Sequence, residues 1–124
     1  MRLPVRFVCA FSDVPHHGNP AAVVLLDDLL EEARMQAIAA ELAQPITAFV
    51  AGARSPYRIR WYTPAVEELL CGHGTIAAVH ALTESDRGRE RVPRLEYCAG
   101  ALTAHVTDRG HALELPASAV DLKR

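Results

Sequence analysis

The sequence predicts an α+β fold, a mostly antiparallel sheet rolled around one buried helix, and three observations lead there. Short segments alternate apolar and polar residues with the period of a strand and follow one another through short links. Residues 31–43 carry apolar positions at spacings of three and four, the pattern of a helix lying on a sheet. Residues 75–82 are apolar on every side, so that helix must be wrapped, and the strands are what can wrap it.

The elements follow in order. Leu3, Val5, Phe7, Cys9 and Phe11 alternate with Arg2, Pro4, Arg6 and Ala10, which predicts a strand with one buried face. Residues 12–20, "SDVPHHGNP", are dense in Asp, Pro, Gly and Asn and predict a loop. "AAVVLL" is a second strand. In the helix of residues 31–43, Met35, Ile38, Ala39 and Leu42 form the apolar stripe, with Glu31, Glu32, Arg34 and Gln36 between them. "ITAFVA" and "YRIRWY" are strands, the second with Tyr57, Ile59 and Trp61 on one face and Arg58, Arg60 and Tyr62 on the other. "RLEYC", "ALTAHV" and "HALEL" close the chain, separated by Gly100 and "TDRG". About seven strands and two helices are expected, without internal repeats.

Composition narrows the function. The 124 residues, half of them hydrophobic, suit one domain with one modest core. With 13 basic and 15 acidic residues, and no basic block beyond the short run at residues 87–91, a nucleic-acid surface is not expected. No apolar run reaches the roughly 18 residues of a membrane helix, so a soluble, cytoplasmic protein is expected. Cys9, Cys71 and Cys98 are odd in number and lack CxxC spacing, which suits a reducing compartment and gives neither a disulfide framework nor a zinc site.

The chemistry gathers at "CGHGT", residues 71–75. Gly72 and Gly74 let the backbone approach a ligand closely, and the free N–H groups of a helix start favour an anion such as a carboxylate. The same dipole would stabilise a Cys71 thiolate. The plain alternative makes Cys71 a small core residue, Gly72 a turn and His73 a cap. His80 follows His73 by two turns, but no further ligands are evident, so no metal site is expected. His16 and His17 fall in the first loop and suggest no role.

Four segments together resemble a known family: "FVCAFSDVPHHGNPAAVVL", "MQAIAAELAQPITAFV", "YRIRWYTPAVEELLCGHGTIAAVHAL" and "LEYCAGALTAHVTDRGHALELP". In order and spacing they are similar to the N-terminal domain of the PhzF-like phenazine-biosynthesis isomerases, which share their fold with diaminopimelate epimerase. Gly18-Asn19-Pro20, Thr63-Pro64 and Cys71-Gly72-His73-Gly74-Thr75 carry the resemblance. It implies that residues 1–124 form a single half domain of the N-terminal type, a sheet rolled around the helix that follows His73. It implies further that two such domains enclose a small carboxylate-bearing substrate, and that proton transfer proceeds without metal or organic cofactor. Asn19, Gly72, His73, Gly74 and Thr75 are then the expected substrate-binding residues, and Cys71 and His73 the expected catalytic ones.

The sequence departs from the family pattern. It stops after "LELPAS", where the N-terminal domain would end. Ile46 stands where the family carries a glutamate base, with Pro45 beside it where a small hydroxyl residue is usual, and Cys9 stands where an aspartate is common. Pairing is therefore expected, either as a homodimer or with a separately encoded C-terminal half. In a homodimer the two Cys71 thiols would face each other about where diaminopimelate epimerase places its catalytic pair. Three functions remain: an isomerase or epimerase active as a dimer, a binding or accessory half-protein without catalysis, and a fragment that keeps only the fold.

Overall fold

The computed structural model describes residues 3–10, 19–85, 94–107 and 110–114. Most of the expected first loop, with His16 and His17, lies outside them, as does the basic run at 87–91. Among the described residues there are eight strands and two helices: β1 (Val5–Ala10), β2 (Asn19–Leu26), α1 (Glu32–Leu42), β3 (Thr47–Ala51), β4 (Tyr57–Tyr62), β5 (Glu67–Glu68), α2 (Gly72–Glu84), β6 (Arg94–Tyr97), β7 (Gly100–Thr107) and β8 (Gly110–Glu114). The strand missing from the sequence-based inventory is β5, two residues long and too short to show a period.

The strands form one sheet in the order β1-β2-β3-β4-β6-β7-β8, with β5 on the flank of β4. Five pairings are antiparallel; β2 with β3 and β4 with β6 are parallel. Each parallel step follows a helix, α1 between β2 and β3 and α2 between β4 and β6, because a parallel neighbour needs a crossover. The sheet is thus mostly antiparallel but mixed.

Alternation along the strands builds two cores. Ala21, Val23, Leu25, Ala48, Val50, Tyr57, Ile59 and Trp61 face inward and pack with Ala77, Ala78, Val79, Ala81 and Leu82 of α2. Val24, Leu26, Phe49, Ala51 and Tyr62 face outward and meet Met35 and Ala39 of α1. Residues 21–26 and 47–51 are buried without interruption because β2 and β3 are covered on both faces. Helix α2 touches β1, β2 and β3 and also β8, the two ends of the strand order, so the sheet curls around it as expected. The wrapping is less than complete: His73, Ile76, His80 and Thr83, at spacings of three and four, stay half-buried along one stripe of α2. No helix among the described residues is long and apolar enough to cross a membrane.

Candidate active site

Helix α2 begins three residues earlier than its apolar run. Cys71 is the N-cap, with extended backbone at φ −140° and ψ 112°, and Gly72 is the first helical residue. The Thr75 N–H (3.1 Å) and the Thr75 hydroxyl (2.7 Å) both donate to the Cys71 carbonyl, so Thr75, fully buried, fastens the first turn to the cap. Its hydroxyl is engaged within the helix rather than turned toward a ligand. Cys71 Sγ lies 3.6 Å from His73 Nδ1. The structure therefore brings Cys71, Gly72, His73, Gly74 and Thr75 together at one helix end. Asn19 opens β2 opposite Ala10, and its side chain lies outside what is described, as does that of Cys9.

Gly74 is required by its surroundings. A Cβ there would stand 2.9 Å from Trp61 Cδ1, 3.3 Å from Cys71 Sγ and 3.4 Å from Ile46 Cγ1. Ile46, where the resemblance leads one to expect a glutamate, thus packs against the start of α2 and is buried. Trp61 is the residue the sequence did not single out for the site, although the alternation of β4 had placed it on the face with Tyr57 and Ile59.

The segment leading into Cys71 is held from outside. The Arg60 guanidinium donates to both oxygens of Glu67, at 2.7 and 2.6 Å, and to Glu32 of α1 at 2.8 Å. These bonds, the Glu67 pair foremost, hold Arg60 firmly protonated. Gln36 of α1 donates to the Thr63 carbonyl at 2.9 Å, and the Thr63 hydroxyl accepts from the Ala65 and Val66 amides. Residues 63–68 are in this way pinned to α1; Val66 (55% exposed) lies within them and Leu69 (75% exposed) follows, just ahead of Cys71.

Electrostatics correct one expectation. Burial raises the Cys71 thiol pKa, with the charge of Glu68 adding to it, while hydrogen bonds from the Gly74 and His73 amides oppose it. The helix end does act on the thiol, as expected, but desolvation outweighs it and the thiol keeps its proton. Burial lowers the His73 pKa, leaving the imidazole neutral. The signs give a stability profile. Below about 6.5 the unfolded chain protonates His73 and the folded chain does not, so stability falls with falling pH. Above about 8.5 the unfolded chain ionises Cys71 and the folded chain does not, so stability falls with rising pH. Urea titrations from pH 5 to 10 are expected to peak between these limits, His73→Asn flattening the acid limb and Cys71→Ser the alkaline one.

A cavity of about 410 Å³ opens where β4 changes partner from β6 to β5. It shares Trp61, Glu68 and Leu69 with the neighbourhood of the site but is not lined by Cys71, Gly72 or His73. Among the described residues no three His, Cys, Asp or Glu side chains gather as a metal site.

A model of the phenazine biosynthesis-like protein family, PhzC-PhzF, matches residues 8–118. The chain belongs to this family. It is 42% identical over 117 residues to an uncharacterized isomerase of Pseudomonas aeruginosa, a match spanning 94% of this chain and 45% of the relative. Among solved structures, a PhzF-family phenazine biosynthesis protein of Enterococcus faecalis superimposes with a TM-score of 0.82 at 36% identity, over 87% of this chain and 42% of that one. A predicted epimerase of P. aeruginosa matches with a TM-score of 0.70 at 26% identity, over 90% of this chain and 41% of that one. The chain thus spans less than half the length of these PhzF-like relatives, and its fold is the epimerase-like one of their N-terminal part.

Proposed function

We propose that the protein is a cofactor-independent isomerase or epimerase that moves a proton on a small carboxylate-bearing metabolite, with an active cleft completed by a second half domain. The observation that carries this is the Cys71 thiol 3.6 Å from the His73 imidazole at the start of α2, in a family whose relatives include named isomerases. The Gly72 amide, joined by the His73 and Gly74 amides when the Cys71 sulfur gives them up, holds the carboxylate. Cys71, kept protonated by burial, returns a proton to carbon, and neutral His73 is the adjacent group able to take or pass one. In a two-fold dimer the opposing Cys71 serves as the base when ionised, so turnover should rise toward alkaline pH.

Pairing is the first requirement. Val66, on the segment pinned to α1, and Leu69 after it are exposed ahead of the helix start and offer apolar contacts to the other half. Sedimentation at micromolar concentration is expected to show a dimer, and a well-folded monomer would remove the homodimeric site. A second function is favoured by one observation: Ile46, where the resemblance implies a glutamate base, is a buried aliphatic side chain beside Gly74. On that ground the alternative is an accessory half-protein that binds the carboxylate, or completes another chain's site, without catalysis.

A further inference from the structure

The segment from Thr63 to Leu70 delivers Cys71 to the start of α2, and little apolar packing holds it. Pro64, Ala65, Val66, Glu68 and Leu69 are exposed, and of its apolar side chains Leu70, half-buried, is the one packed against the inner core. β5 adds two cross-strand pairs, Glu67 with Tyr62 and Glu68 with Trp61. A segment so poor in buried contacts opens locally at low free energy unless polar bonds fasten it. Those bonds come from Arg60, whose guanidinium meets both Glu67 oxygens and reaches Glu32 of α1, with 27% of the Arg60 side chain and 30% of the Glu67 side chain exposed. A two-point, partly desolvated pair of this kind is stronger and more directional than an ordinary surface ion pair. Gln36 fastens the near end of the segment, at the Thr63 carbonyl, so the clamp on Glu67 is the side-chain fastening nearer to Cys71.

We infer that Arg60 is a positioning residue for Cys71: by clamping Glu67 between β4 and α1 it fixes the segment that keeps the thiol seated and shielded at the helix start. This rests on the reading that Cys71 is the proton-transferring group, but it concerns the seating of the thiol and is measured without turnover. Among the described residues the titratable groups acting on Cys71 are Glu68 on β5 and His73 on α2. With the clamp cut, Glu68 is no longer held beside the thiol and water reaches the sulfur, and both changes ease its ionisation.

Iodoacetamide alkylates the thiolate, and Cys71 is the one cysteine between Arg58 and Arg87, so its modification is followed on a single tryptic peptide. Arg60→Met keeps most of the stem and removes every donor. Near neutral pH its Cys71 is expected to be alkylated about tenfold faster than that of the wild type, with the midpoint of the rate–pH profile lowered by about one pH unit. Val24→Ala, a cut in the buried outer core away from the clamp, controls for lost stability and should keep the wild-type profile. An unmoved profile in Arg60→Met overturns the inference, and so does an equal shift in Val24→Ala, because the clamp would then act through overall stability alone. Should Arg60→Met not fold, Glu67→Ala cuts the same pair from its other end, with the same expected shift and the same result against it.

Discussion

Trp61→Ala is expected to lower the unfolding free energy by about 3–5 kcal/mol, the range for deleting a large aromatic from a packed core. Trp61 is among the largest fully buried side chains, and its ring packs edge-on against Tyr97 with centroids 5.5 Å apart. It also closes the space over Gly74, so the loss extends from β4 and β6 to the start of α2. Urea titration followed by circular dichroism measures it. A loss under about 1 kcal/mol would mean that the inner core does not depend on this contact.

The second large effect is chemical. Cys71→Ser keeps the shape of the cap while raising the pKa of the group by several units, so solvent-deuterium incorporation into a bound carboxylate should stop. Dimerisation and carboxylate binding should persist. Ile46→Glu is the converse change, placing a carboxyl beside Gly74 where the resemblance implies a base. Burial there raises the pKa of that carboxyl, which brings it nearer to the working pH of a general base. The variant should therefore exchange deuterium faster than the wild type at neutral pH, at some cost in stability from the buried acid.

Much of the fold was legible because its signals are periodic. The alternation of β4 put Tyr57, Ile59 and Trp61 on one face, which the structure turns to the inner core, and the spacing of Met35 and Ala39 set α1 on the outside of the sheet. The apolar run after Thr75 marked a wrapped helix. The parallel pairings escaped notice, since the order of elements shows that a helix intervenes but not which strands it joins. The Arg60–Glu67–Glu32 bridge was hidden for the same reason: its members lie on three elements, and only tertiary structure brings them together.

At the site, the glycines of "CGHGT" and the resemblance located the helix start, and the structure gathers Cys71 to Thr75 there. The protonation of Cys71 was not legible. A helix end lowers a thiol pKa and burial raises it, and the sequence gives the first effect without the magnitude of the second. Trp61 went unassigned because its contact with Gly74 joins β4 to α2 across the inner core.

The proposed function turns on whether Cys71 at the start of α2 transfers a proton to or from a carboxylate-bearing metabolite. Mass spectrometry tests it most directly, after incubating the wild type and Cys71→Ser in D₂O with small carboxylates that carry an activated C–H bond. One deuterium should be gained with the wild type, faster as the pH rises, and none with Cys71→Ser; equal incorporation by both proteins would rule out proton transfer by Cys71.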